Sequence, residues 1–150
     1  MTRRLIVSAL LLALSAFAQD AKPNFSGKWK LNAAKSDFGP MPAADSRTDT
    51  ITHKEPVLKE SVDAGEFQFE ATYTTDGKES KNTMMGGETT SKAHWDGSTL
   101  VIDTKANFNG SEMVIHSTMT LSADGKGLTR KVHLSGPMGE GDQTLVFDKQ

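Results

Sequence analysis

Hydrophobic and polar residues alternate with a period of two along most of the chain, and this pattern predicts β-strands. After residue 18, no stretch keeps helical periodicity for more than about two turns. Asp-Gly and Asn-Gly pairs separate many of the alternating segments and favour tight hairpins, because the central residues of such turns adopt positive φ. We therefore expect an all-β fold, an antiparallel up-and-down barrel of eight to ten strands. The candidate strands are 25–32, 47–54, 57–63, 66–75, 78–85, 89–95, 98–108, 111–122, 127–135 and 142–149.

The longest segment without alternation is Ala33 to Ser46, which contains Pro40 and Pro42. Proline interrupts both helices and sheet ladders. This segment is predicted to be a loop that crosses between the first two strands.

The hairpin around Asp124 and Gly125 allows a test of strand register. A turn centred on these residues places Leu121 opposite Leu128, so that apolar side chains share one face. A shift by one residue would bring polar side chains onto that face, so burial favours the first register. It also places Met119 opposite Arg130.

Two further hairpins follow from the same reasoning, one centred on residues 76–77 and the other on 96–97. Both keep apolar residues on a common face. The predicted pairs are Phe69 with Met84 and Tyr73 with Ser80 in the first hairpin, and Ala93 with Leu100 and Ser91 with Ile102 in the second.

The faces selected in this way form a mainly apolar interior with a few dispersed polar groups, which is typical of a small-molecule pocket. We predict ligand-binding roles for three sets of residues. Trp29, Phe67, Phe69, Trp95 and Met119 form apolar walls, Tyr73 and Asn82 orient the ligand, and Arg130 is the charge anchor.

Arg130 is the most informative of these residues, because a buried guanidinium is costly unless it is paired. It has three possible roles inside the barrel: it anchors an anionic ligand, pairs with Glu60, or stacks on Trp29. The alternative is a β-bulge near Gly127 that turns Arg130 toward solvent.

The first 18 residues resemble a secretory signal peptide. Arg3 and Arg4 precede an apolar stretch over residues 5–14, and the small-residue pattern Ala16, Phe17, Ala18 follows it. The apolar stretch is short for a membrane span. The sequence thus predicts an exported protein, periplasmic or secreted, with residues 19–150 as a single domain and no transmembrane segment in its mature form. The chain has no cysteine, which excludes disulfides and an acylated cysteine anchor.

Charge limits the range of partners. Without Arg3 and Arg4, the chain carries 15 basic and 19 acidic residues. This acidic balance argues against nucleic acid and anionic membrane surfaces as partners.

The residues that could carry catalysis or hold a metal form no recognised arrangement. The register places His116 opposite His133, but on the outward face and without a third ligand at a known spacing. Glu60 is a lone inward acid, and no serine lies in a nucleophile elbow. We predict no catalytic residues, no metal and no cofactor.

The run from Phe25 to Leu31 contains Gly27 and Trp29 in a G-x-W arrangement. This resembles the first-strand signature of the calycins, the superfamily of lipocalins and fatty-acid-binding proteins. The hairpin at 95–97 and the C-terminal stretch 144–149 look like corresponding parts of fatty-acid-binding proteins. Residues 31–39 are similar to an uncharacterised group of exported bacterial lipocalin-like proteins. The resemblance implies a β-barrel in which the tryptophan closes one end and the interior binds a hydrophobic ligand.

The chain departs from fatty-acid-binding proteins in two respects. Their last strand carries an Arg-x-Tyr carboxylate anchor, and the matching positions here look like Leu145 and Phe147. Their first connection carries two helices, whereas the segment 33–46 is interrupted by prolines.

The function predicted from these observations is non-enzymatic binding of a small, mainly apolar molecule by an exported barrel. A second hypothesis is a filled barrel that acts as an interaction or inhibitor module through loops 33–46 and 136–141. A third is a small isomerase or hydrolase that uses Arg130 and Glu60. The oligomeric state is left open.

Overall fold

A computed structural model describes residues 21–137 and 139–150. The predicted signal peptide lies outside the described residues. Within those ranges, no helix has the length and apolar character needed to cross a membrane.

The described residues form ten antiparallel strands, which confirms the predicted all-β class. The bounds of the strands differ from the predicted ones by at most three residues. A single turn of 3-10 helix (Ala33–Lys35) follows the first strand. The strands are β1 (Gly27–Leu31), β2 (Thr48–Lys54), β3 (Val57–Ala64), β4 (Phe67–Thr74), β5 (Asp76–Met84), β6 (Gly87–Asp96), β7 (Thr99–Phe108), β8 (Ser111–Leu121), β9 (Gly127–Gly136) and β10 (Gly139–Lys149).

The sheet has up-and-down topology and curls into a nearly closed barrel. Strands that are neighbours in sequence pair with each other, except β4 and β5, which form the two edges of the sheet. In addition, the first strand β1 pairs with the last strand β10 as well as with β2. In the described residues, β4 and β5 share no backbone ladder. Asn82 bridges them instead: its Oδ1 accepts the Thr72 N–H at 2.8 Å and its Nδ2 donates to the Thr72 carbonyl at 3.1 Å.

The predicted ladder that pairs Phe69 with Met84 is therefore wrong. The chain reverses close to the predicted turn, where Gly77 has a φ of +80°, but β5 already begins at Asp76 and is irregular between Asp76 and Glu79 as it joins β6. A turn signal specifies a change of direction and does not require that the two strands stay within hydrogen-bonding distance.

The other two registers keep the predicted faces. Leu121 opposes Leu128 and Met119 opposes Arg130, as predicted. Ala93 opposes Ile102 rather than Leu100, because the second hairpin closes at residues 97–98 instead of 96–97. This shift of two positions preserves which side chains point inward.

The segment between β1 and β2 is the predicted crossing loop. Apart from its single helical turn, it runs along β10, where Asp37 and Thr144 exchange two backbone hydrogen bonds of 2.7 Å. Phe38 packs partly buried against the core. The loop is therefore held against the sheet by backbone pairing and one aromatic contact.

One end of the barrel is densely packed, and we call it the packed end. It carries the N-terminal segment and the turns that follow β2, β4, β6 and β8. Trp29 is fully buried there and donates from Nε1 to the Phe25 carbonyl at 2.8 Å. Gly27 adopts a φ of +147°, which L side chains rarely adopt, and its position lies against Lys149. The G-x-W motif thus supplies a backbone bend and a plug.

Candidate functional site

The half of the barrel opposite the packed end contains a cavity of about 150 Å³. Strands β4, β5 and β7 to β10 supply its apolar wall, because their inward positions carry aromatic and aliphatic residues. These include Phe67, Phe69, Met84, Ile115, Val132 and Leu134. Most of these side chains are only partly buried, in contrast to those at the packed end.

Two arginines belong to the polar part of the wall, and each is paired with a carboxylate. Arg130 on β9 is 8% exposed and donates from Nη2 to Oε1 of Glu60, which is 2% exposed. Arg47 donates to both carboxylate oxygens of Asp49, from Nε at 2.7 Å and from Nη2 at 2.9 Å. The two positive and two negative charges balance.

Burial and pairing together set the protonation of this region. Burial raises the pKa of Glu60, and the Arg130 charge opposes that increase. Burial disfavours the Arg130 cation, but the Glu60 and Asp49 carboxylates raise its pKa above the ordinary value. Tyr73 lines the cavity. Burial raises the pKa of its hydroxyl, so the side chain stays a neutral phenol.

Two buried atoms of the Arg130 and Glu60 pair lack a hydrogen-bond partner among the described residues. They are Arg130 Nε, a donor, and Glu60 Oε2, an acceptor. The second contact of the guanidinium is weak, from Nη2 to the sulfur of Met119 at 3.5 Å. A buried polar atom without a partner costs on the order of 1–3 kcal/mol. The contact between Arg130 and Glu60 therefore leaves both side chains incompletely hydrogen-bonded.

The residues predicted to bind ligand lie in three places. Phe67, Phe69, Tyr73 and Arg130 line the cavity. Trp29 and Met119 are fully buried in the core. Trp95 and Asn82 lie elsewhere, Trp95 at the packed end and Asn82 in the gap between β4 and β5. The role of all eight in ligand binding stays a prediction.

Trp95 belongs to an aromatic stack that closes the packed end. Its ring lies 5.8 Å from that of Phe25 and 6.0 Å from that of His53. Glu55 accepts hydrogen bonds from Thr75 Oγ1, from Trp95 Nε1 at 3.0 Å and from His53 Nε2 at 2.8 Å. His53 Nδ1 in turn accepts the Phe25 N–H at 3.2 Å, an arrangement that requires the Nε2-protonated tautomer.

Sequence reasoning missed the inward polar side chains in β2 and just before it. Asp49 and His53 are buried, and Arg47 lines the cavity. Their shared parity with the buried Ile51 is the signal that could have identified them.

The outward histidines each lie against a carboxylate. His116 and His133 face each other across β8 and β9, and their Nδ1 atoms lie 2.6 Å from Asp103 and 2.7 Å from Asp142 respectively. Among residues 21–137 and 139–150, no group of three or more histidines and acids could hold a metal ion.

Solved structures resemble the whole described domain. One is a secretory abundant heat soluble protein from Ramazzottius varieornatus, with a TM-score of 0.67, 12% identity, and coverage of 86% of this chain and 98% of that one. Another is the zebrafish ileal bile acid-binding protein complexed with cholic acid, with a TM-score of 0.63, 16% identity, and coverage of 84% and 98%. The chain has a calycin-like fold.

A third calycin-like match is secretory abundant heat soluble protein 4 from Ramazzottius varieornatus, with a TM-score of 0.56, 16% identity, and coverage of 85% and 95%. At these identities the likeness establishes the fold alone. No protein-family model matches the sequence, and no curated protein sequence matches it. The similarity to exported bacterial lipocalin-like proteins stays a prediction.

Proposed function

We propose that this calycin-like barrel binds a small, mainly apolar molecule without chemically changing it. The observation that carries the proposal is the interior cavity, with its apolar wall and a few polar side chains. Burial of apolar surface supplies affinity in such sites, while polar groups fix the orientation of the ligand. A bile acid-binding protein with the same fold supports this reading.

The volume limits what the cavity holds. A cavity of about 150 Å³ accommodates a group about the size of benzene. A second cavity of about 280 Å³, lined by Phe108, Met113 and Pro137, shares Leu134 with the first. A ligand with one ring or a short chain fits the first cavity, and a longer tail would extend past Leu134 into the second cavity.

The proposal excludes turnover because the inward acid is already engaged. Glu60 contacts Arg130, and the other buried carboxylate, Asp49, contacts Arg47. A general acid or base needs access to the reacting atom. Neither Glu60 nor Asp49 belongs to the cavity wall.

Export is part of the proposal. It rests on the signal-peptide pattern of residues 1–18. Two of the structurally similar proteins are described as secretory, which agrees with it.

Native mass spectrometry of the purified protein tests the proposal. We expect a population heavier than the chain by the mass of one small organic molecule, and loss of that mass after denaturation. Protein that is consistently empty and that also fails to bind added toluene would contradict the binding function.

A further inference from the structure

The two cavities follow one another along the same wall of the barrel. On β9, Val132 lines the first cavity and Gly136 the second, and each is an inward position two residues from Leu134. On β8, Ile115 lines the first cavity and Met113 the second. The second cavity is therefore nearer the turns that follow β7 and β9, at the end of the barrel opposite the packed end.

Leu134 stands at the junction of these two spaces. It lies opposite Ile115 in the ladder between β8 and β9, and among the described residues it is the only one that lines both cavities. Its partner on the other side is Gly141 of β10, which has no side chain. A ligand that reaches from one cavity into the other therefore has to pass the Leu134 side chain.

The walls of the two cavities differ in chemistry. The first wall includes a phenol, an amide and two guanidinium groups. Within the ranges that the structure describes, the wall of the second cavity has no ionisable side chain, and its larger side chains are Phe108, Met113, Leu134 and Pro137. Burial of a charged group against such a wall is costly. The part of a ligand that enters the second cavity is therefore uncharged and apolar.

From these observations we propose that Leu134 is a specificity-determining residue that selects the ligand by shape. The ligand is an elongated molecule. Its one-ring or short-chain part occupies the first cavity, and an unbranched apolar tail passes Leu134 into the second. This inference rests on the proposed binding function and adds to it the shape of the ligand.

Three alkylbenzenes separate the shape inference from the binding function. Toluene fits the first cavity alone, n-butylbenzene adds a linear tail, and tert-butylbenzene carries the same atoms in a branched form. Burial of each methylene group strengthens binding roughly three- to fourfold. Calorimetric titrations should give a dissociation constant for n-butylbenzene about tenfold below those for toluene and tert-butylbenzene.

Leu134→Ala tests the junction itself, because it removes the side chain that the tail has to pass. The dissociation constants of n-butylbenzene and tert-butylbenzene should then lie within about twofold of each other, since the wider junction admits the branched group. Val114→Ala shortens an exposed side chain on the neighbouring strand β8 and should keep the wild-type preference.

Gly136→Leu tests the second cavity without changing the first. A Cβ at Gly136 makes only ordinary contacts, the nearest at 3.5 Å to Glu112 and Met113. The added side chain should fill the second cavity, so n-butylbenzene should bind no more tightly than toluene. Toluene itself should bind as it does to the wild type.

A measurement on the wild-type protein keeps the test independent of how the variants fold. The Met113 methyl signal should shift when n-butylbenzene binds and much less with toluene, whereas the Leu134 methyl signals should shift with both. Toluene binding with no gain from the linear tail, an unmoved Met113 signal, or a preference that either variant leaves unchanged would overturn the role of Leu134 and leave the binding function standing. Failure to bind any of the three alkylbenzenes would remove both.

Discussion

The guanidinium of Arg130 on β9 donates to the carboxylate of Glu60 on β3, across the interior of the barrel. Three strands, β2, β1 and β10, separate these partners in the sheet, so the contact forms only when the sheet curls. The same guanidinium contacts the sulfur of the fully buried Met119 and lines the cavity. The pair therefore links closure of the barrel to the polar part of its site.

Arg130→Met should strongly destabilise the protein, because it leaves a buried carboxylate without its cation. We expect a loss of about 3–5 kcal/mol in the free energy of unfolding, measured with urea at pH 7. The double variant Glu60→Leu with Arg130→Met should recover most of this loss. An Arg130→Met protein as stable as the wild type would contradict the buried pair.

The free energy of unfolding of Arg130→Met should depend on pH in a defined direction. Burial raises the pKa of Glu60 above its unfolded value, so protonation of Glu60 favours the folded state. That contribution is present at low pH and is lost as pH rises through the folded pKa. Without the opposing Arg130 charge, the loss between pH 4.5 and pH 7.5 should be larger than in the wild type.

Replacement of two phenylalanines by alanine should distinguish the packed end from the cavity. Phe25 is fully buried, so Phe25→Ala should cost about 3–5 kcal/mol. Phe69 lines the cavity and is only partly buried, so Phe69→Ala should cost about 1–2 kcal/mol. Equal losses in urea unfolding would show that the two halves of the barrel are packed alike.

Glu55→Gln should weaken the packed end at neutral pH but not in acid. Burial raises the pKa of Glu55, yet hydrogen bonds from Thr75, His53 and Trp95 lower it below the unfolded value overall. Its stabilisation is therefore present above the unfolded pKa and is lost as pH falls through the folded pKa.

The expected deficit of Glu55→Gln is about 1 kcal/mol at pH 7. It should shrink as the solution is acidified below pH 4.5, and urea midpoints across that range would measure it. Glu112→Gln, at an exposed position of β8, is the matched control and should stay close to the wild type throughout. A deficit that is constant with pH would argue against the carboxylate's role in the network.

Local patterns predicted the strands and most of the interior, because side-chain parity and turn chemistry act over a few residues. The inward direction of Arg130 follows from that parity, whereas its pairing with Glu60 is one of the three roles that the sequence allows. The gap between β4 and β5 does not follow from parity, since whether a hairpin stays closed depends on how the whole sheet curls. The stack of Phe25, His53 and Trp95 was also missed, because it joins segments far apart in sequence.

Asn82→Ala should loosen the gap between β4 and β5. The Asn82 amide is bonded to both the N–H and the carbonyl of Thr72. Hydrogen exchange of the Thr72 amide should accelerate by on the order of tenfold once this partner is removed. The adjacent Tyr73 amide points toward β3 and should be unaffected, because successive strand amides point in opposite directions. An unchanged rate at Thr72 would exclude the bridge in solution.

The central claim is that the interior cavity is the binding site, and one pair of variants tests it directly. Ser117 lines the cavity, and Ser117→Phe would fill it with a ring about the size the volume accepts. Thr118→Phe places the same ring on the outer face of β8 and serves as the control. In NMR titrations with toluene, the wild type and Thr118→Phe should bind, and Ser117→Phe should not. Undiminished toluene binding by Ser117→Phe would contradict the account.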